Sequence, residues 1–129
     1  GLLLPVPASV ASPAKIAELF DAGQKRYNRG LETKEVSEFR AAIEIWQEAK
    51  ALGEGEPRTR AGASATFGLA LAMQIIGGKS EDILANYEET LEAADEHVLD
   101  REIHLACLGN AGKLLEEKGD YAGAIDRYQ

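Results

Sequence analysis

The feature that most constrains this chain is an interval. Trp46, Tyr87 and Tyr128 stand 41 residues apart, as do Ala42, Ile83 and Ala124, and again Phe39, Ser80 and Tyr121. Within each unit the three columns are separated by three and then four residues, the spacing that puts side chains on one face of a helix. A short apolar stripe that recurs at a fixed distance cannot be buried by its own unit alone. It is buried by stacking each unit on its neighbour, so the chain is expected to be an array of similar helical units.

The last unit is the clearest. Leu108, Ala111, Gly112 and Leu115 form one helical stripe, and Tyr121, Ala124, Ile125 and Tyr128 form a second. Gly119 and Asp120 separate them: glycine suits the left-handed end of one helix, and aspartate can cap the next. The small Gly112 and Ala124 fall where two helices would approach most closely. This segment resembles a tetratricopeptide repeat, in the small residue of its first helix, its Gly-Asp-Tyr turn and its alanine followed four residues later by tyrosine. The standard unit has 34 residues, so each unit here carries roughly seven more, about two helical turns.

The resemblance spans about residues 16 to 129, strong in the third unit and looser in the first two. It implies an all-α fold, a right-handed superhelical array of three antiparallel helix pairs over residues 15–129, with the third repeat incomplete. It also implies a non-catalytic protein–protein interaction scaffold, as a subunit or assembly factor of a larger complex. The alternative is a free adaptor that binds a peptide or helix in its concave groove. The expected partners are other proteins.

Composition narrows the function classes. Hydrophobic residues make up 45% and charged residues 28%, enough for a packed core, while aromatics are only 6% and no long stretch alternates with period two, which argues against a sheet. The net charge is −8 and the sequence pI about 4.8. A nucleic-acid binder needs a basic footprint to displace counterions, and anionic lipid surfaces repel an acidic chain. Neither partner is expected. With Cys107 the only cysteine, no intramolecular disulfide can form.

Residues 1–14 carry no charged side chain. Leu2, Leu3 and Leu4 are far short of the about 20 apolar residues that span a bilayer. Pro5, Pro7 and Pro13 favour an extended path. The segment is expected to be an arm, either a free tail or laid on a partner through Leu2, Leu3, Leu4 and Val6. Its Ala, Ser and Pro content resembles the stretch that follows a cleaved organellar targeting peptide. The expected compartment is a chloroplast or mitochondrion after removal of that peptide, and otherwise the cytoplasm.

Ser12-Pro13 reads as a helix start. The first helix is expected to bury Ile16, Leu19, Phe20, Gly23 and Tyr27 and to end near Gly30, with Thr33 capping the second. The second carries Phe39, Ala42, Ile43, Trp46 and Ala49; the third carries Ala61, Ser64, Phe67, Gly68, Leu71 and Ile75. Gly77-Gly78 closes the third, and Ser80 opens the fourth with Ile83, Leu84, Tyr87 and Leu91. Asp100 opens the fifth, and the sixth begins at Asp120. Gly68 and Gly112 are expected where each first helix of a pair touches its own partner.

Apparent chemical motifs fail their context tests. Gly77-Gly78-Lys79-Ser80 resembles the end of a phosphate-binding loop, but Met73 stands where its leading glycine belongs and a helix rather than a strand precedes it. His104 and Cys107 lie one helical turn apart, yet two residues do not make a metal site and His97 is two turns away. The many acidic residues, Glu88, Glu89, Glu92, Asp95, Glu96, Glu116 and Glu117 among them, are spaced as solvated helix faces. No nucleophile, zinc or triad motif is present. A metal- or nucleotide-dependent enzyme is the remote alternative, and no catalytic residue, metal or cofactor is expected.

Surface recognition remains. The resemblance places the concave side on outward positions of the first helix of each pair: Phe20, Gln24, Tyr27 and Asn28, then Ala65, Leu69, Ala72 and Met73, then Ala106, Gly109, Lys113 and Glu116. Lys113 stands without a basic or Asn neighbour, so a grip on a terminal carboxylate is not expected. Leu69 and Met73 could instead offer an apolar patch to a partner, or pack against the first unit. At the other end, Leu115, Ile125 and Tyr128 commit the sixth helix to an apolar stripe with nothing after it as a shield. More chain or another subunit is expected to cover that end.

Overall fold

The structure, a computed structural model, describes residues 8–54 and 58–129. They form six α-helices: α1 (Ala8–Thr33), α2 (Val36–Leu52), α3 (Arg60–Ile75), α4 (Ser80–Asp95), α5 (Arg101–Glu117) and α6 (Tyr121–Tyr128). No strand occurs among the described residues. Consecutive helices pack on one another along the whole chain, and α3 also reaches α1 and α5. The all-helical expectation holds.

α1 starts before its expected boundary. Pro13 lies inside it, so residues 8–14, assigned to an extended arm from sequence, are its first turns. An interior proline gives up one helical hydrogen bond and crowds the carbonyl four residues back, a cost confined here to the first turns, where Ala8, Ala11 and Ala14 are strong helix formers. The arm residues Leu2, Leu3, Leu4 and Val6 lie outside the described residues. At its other end α1 runs past Gly30, which is a packing glycine and not a stop. A Cβ there would sit 2.8 Å from the Phe39 ring. Thr33 is the last residue of α1 and not the cap of α2. Its hydroxyl donates to the Arg29 carbonyl at 2.9 Å and accepts from the Glu35 amide at 3.2 Å.

The turns that follow α1, α3 and α5 have the same backbone feature, though not at the 41-residue interval of the columns. Lys34, Gly77 and Gly119 all take left-handed backbone (φ 64°, 78° and 84°). The Gly78 amide reaches back to the Met73 carbonyl, and that of Asp120 to Leu115, both at 2.8 Å. These bonds use carbonyls that the helix end leaves without partners. Gly77-Gly78-Lys79-Ser80 is such a turn, joining two helices. The expected aspartate cap is present: the Asp120 carboxylate accepts from the Gly123 amide at 2.9 Å. Thr59 caps α3 in the same way, accepting from Gly62 at 3.0 Å.

Two hydrophobic clusters make the core. The first joins Ile16 and Leu19 of α1, Ala42, Ile43, Trp46 and Ala49 of α2, and Ala65, Leu69 and Ala72 of α3. Trp46 is its centre, 1% exposed. Its indole is held between two glycines: a Cβ on Gly23 would lie 2.2 Å from Nε1, and one on Gly68 would lie 2.8 Å from Cη2. Nε1 donates to the Phe20 carbonyl at 3.2 Å. Gly68 therefore faces α2, not its following neighbour α4 as expected from sequence. α3 is buried on almost every side, through Ala63, Ser64, Ala65, Thr66, Gly68, Leu69, Ala70 and Ala72. With side chains this small, the neighbours can close in around it. The second cluster joins Ala70, Ile83, Tyr87, Cys107, Ala111 and Leu114. Gly112 does face α6 as expected, since a Cβ there would lie 2.6 Å from Tyr128.

Candidate interaction surface

The residues expected on the concave side divide into two groups. Phe20 and Tyr27 are half-buried around Trp46, with ring centroids 6.4 and 5.7 Å from it, and Tyr27 meets Phe39 edge-on at 5.6 Å. Burial raises the Tyr27 phenol above its usual pKa. Leu69 is 2% exposed and belongs to the first core, so its apolar surface is spent on packing and is not offered to a partner. Ala65 and Ala72 are fully buried with it. Met73 is half-buried beside both clusters, and its sulfur accepts from the Asn86 amide at 3.6 Å. The groups that reach water are Gln24, which donates to Asn28 at 3.0 Å, Asn28 itself, and Lys113 and Glu116 on α5.

The C-terminal helix presents a different surface. Leu115 is buried under α6, whereas Tyr121, Ile125 and Tyr128 are 66%, 58% and 52% exposed. Their counterparts two units earlier, Phe39, Ile43 and Trp46, are 5%, 9% and 1% exposed. Ile43 and Trp46 share a core with α3, and Phe39 packs against Tyr27 and Gly30 of α1, whereas the same columns lie open in the third unit. α6 is nevertheless held firmly. Arg127 donates two hydrogen bonds to the Glu88 carboxylate on α4, and the Tyr128 hydroxyl donates to Glu116 at 2.9 Å. These contacts orient α6 on the bundle and leave its apolar stripe facing outward. Acidic groups lie beside it: Glu116, Glu117, Asp120 and Asp126 are exposed at the end of α5, in the following turn and on α6, with Asp126 paired to Arg127.

Charge is unevenly spread. Residues 1–54 carry eight acidic and seven basic side chains, while residues 55–129 carry fourteen and seven. Several basic groups in the second half are already paired, Arg58 with Glu92 and Glu96, and Lys118 with Glu81 at 3.7 Å. Lys50 reaches from α2 to Asn86 and Glu89 on α4, both at 2.8 Å. A cavity of about 400 Å3 beside Lys50 is lined by Ile16, Thr59, Thr66 and Ala93, with Arg58 and Glu96 at its edge. No local sequence pattern marks this groove, because its charged groups come from three separate segments. Most of those charges neutralise one another across it.

The remaining chemical candidates are structural. The Cys107 thiol is buried and donates to the Tyr87 carbonyl at 3.2 Å, and burial, with the nearby Glu88 charge, pushes it up to about 12. A thiol so protonated is a poor nucleophile and metal ligand. The Tyr87 hydroxyl donates to Gln74 at 2.6 Å, and burial raises its pKa as well. Among the described residues no group of three or more His, Cys, Asp or Glu side chains is placed to hold a metal ion. Nor is any helix among them long and apolar enough to cross a membrane. Comparison of the chain with protein-family models, curated proteins and solved structures found no match.

Proposed function

We propose that this chain is a tetratricopeptide-like scaffold, three antiparallel helix pairs wound into a right-handed superhelix, that works as a non-catalytic subunit or assembly factor of a larger protein complex. One observation carries the reading. Tyr121, Ile125 and Tyr128 repeat columns that are buried in the first unit, and on α6 they stand open. Scattered apolar residues on a surface need no explanation, but a contiguous, ordered set of them marks a contact site.

The adaptor reading, a groove along the concave side, is the weaker of the two. It loses Leu69 to the core and most of Phe20 and Tyr27 to Trp46. Gln24, Asn28, Lys113 and Glu116 remain for it. Size fractionation of a native extract, with the chain detected by antibody, tests the proposal. A subunit elutes in a stoichiometric assembly far larger than the 13.9 kDa chain. Elution wholly at the size of the free chain refutes it.

A further inference from the structure

The chain contains its own examples of what closes such a face. α3 covers Trp46 with Ala65, Leu69 and Ala72, and α5 covers Tyr87 with Cys107, Ala111 and Leu114. Both sets fall at positions i, i+4 and i+7 of a helix, and both begin with a small side chain. The small residue is a steric requirement. The covering helix lies close over the ring in this column: at Gly68, one turn on from Ala65, even a Cβ would come within 2.8 Å of Trp46. Tyr128 occupies the same column, and no helix among the described residues lies over it.

Electrostatics adds a second condition. Glu116, Glu117, Asp120 and Asp126 stand beside the apolar face, while Lys118 is paired with Glu81, and Arg127 with Glu88 and Asp126. The Tyr128 phenol reports this field. It is held above its ordinary pKa by its hydrogen bond to Glu116 first, then by desolvation, and after those by the charges of Glu116 and Glu117. A covering helix with acidic flanks would be repelled, and one with basic flanks attracted.

We infer that the open face of α6 docks a helix of a partner protein that carries compact apolar residues at i, i+4 and i+7, the first of them small, flanked by lysine or arginine. The inference rests on the scaffold reading and gives that scaffold's partner a recognisable pattern. A second copy of this chain is a poorer occupant. Its own helices of this pattern, α3 and α5, already spend those residues on its cores.

The test uses a synthetic probe built from the chain's own covering helix. It is residues 101–117, end-capped and fluorescently labelled, with Glu102→Lys, Glu116→Lys and Glu117→Lys to make its flanks basic and Cys107→Ala to prevent disulfides. It is titrated against the 129-residue chain by fluorescence anisotropy. Saturable one-to-one binding is expected, weakening as salt is raised, and at least roughly tenfold weaker to an Ile125→Lys chain, a change of about 1.4 kcal/mol. The same probe with its three glutamates restored should bind less well. Ile125 is 58% exposed, so the substitution leaves the fold intact, which circular dichroism verifies; Tyr121→Lys provides an independent second variant.

Absence of binding overturns the inference, as does binding that neither variant weakens. Self-association in a sedimentation experiment that Ile125→Lys abolishes also overturns it, making a second copy the occupant. A chain found in a large native assembly while the probe fails to bind leaves the scaffold reading standing and removes only the helix pattern. A chain found free in extracts removes the scaffold reading itself.

Discussion

Replacing Gly23 by alanine tests the centre of the fold. In an open helix the change is favourable by about 1 kcal/mol, because glycine is a poor helix former. At Gly23 the new Cβ would lie 2.2 Å from Trp46 Nε1. The indole must retreat by more than 1 Å to reach an ordinary contact of about 3.5 Å. It cannot retreat freely, since the backbone of Gly68 lies against its far side. The shift also breaks the hydrogen bond from Nε1 to the Phe20 carbonyl. Overpacking of about 3 kcal/mol and a lost hydrogen bond of about 1 kcal/mol, less the helix gain, leave a net loss of about 3 kcal/mol. With a urea m-value of about 2 kcal/mol per molar, the midpoint falls by about 1.5 M.

Gly109→Ala is the control, because nothing lies within 4 Å of its Cβ position. It should gain about 1 kcal/mol and raise the midpoint by about 0.5 M. Trp46 is the only tryptophan, so its fluorescence reads this core directly, and circular dichroism reads the helices as a whole. Equal midpoints for Gly23→Ala and Gly109→Ala would refute the account of a tryptophan confined between two glycines.

Three further expectations follow from other positions. Gly112→Leu meets Tyr128 at 2.6 Å, but that ring is half-exposed and can swing outward, so the cost should be near the lower limit for overpacking, about 1 kcal/mol; an unchanged melting temperature would dismiss the contact. His97→Gly relieves left-handed backbone (φ 61°) worth about 1 kcal/mol and loosens the unfolded chain by less, so Tm should rise by about 2 °C, and a fall in a thermal melt counts against that strain. The buried Cys107 thiol gives stability that is full below its unfolded pKa of about 8.5 and drains as pH rises toward the folded value of about 12. Over that window Cys107→Ala should flatten the loss measured by urea titration by about 1.4 kcal/mol per pH unit; parallel curves would contradict it.

The legibility of the chain depended on contrast between neighbouring side chains. α2 alternates large apolar with charged residues, and its stripe of Phe39, Ala42, Ile43, Trp46 and Ala49 is the one found buried. α3 has almost no such contrast. Its Ala, Gly, Ser and Thr residues are compatible with any face, so sequence could not tell that nearly all of them are enclosed, or that Gly68 turns toward α2. Gly30 illustrates a second limit, because a glycine that ends a helix and one that admits an aromatic ring look alike in sequence. Of the candidate surface, the apolar columns of α6 were visible in the repeat, whereas the fate of Leu69 depended on how closely α3 fits against α2. The fixing of Tyr128 by Glu116 and of Arg127 by Glu88 joins residues 12 and 39 positions apart, beyond any local pattern.

The two hydrophobic clusters have no buried residue in common, and Met73 is the side chain packed against both. α3 sends buried residues into both clusters and couples them, while α6, apart from the Arg127 pair with Glu88, packs on α5 alone, so the C-terminal pair should be the first unit to open. Amide hydrogens of α5 and α6 should then exchange with solvent sooner than those of α1 to α3. For a protein in a cell, that places the first point of proteolytic attack at the end that carries Ile125 and Tyr128. Whatever settles on this end withholds the locally opened state from proteases. A protein bound at this end would therefore lengthen the survival of the chain, and the abundance of one would follow the abundance of the other.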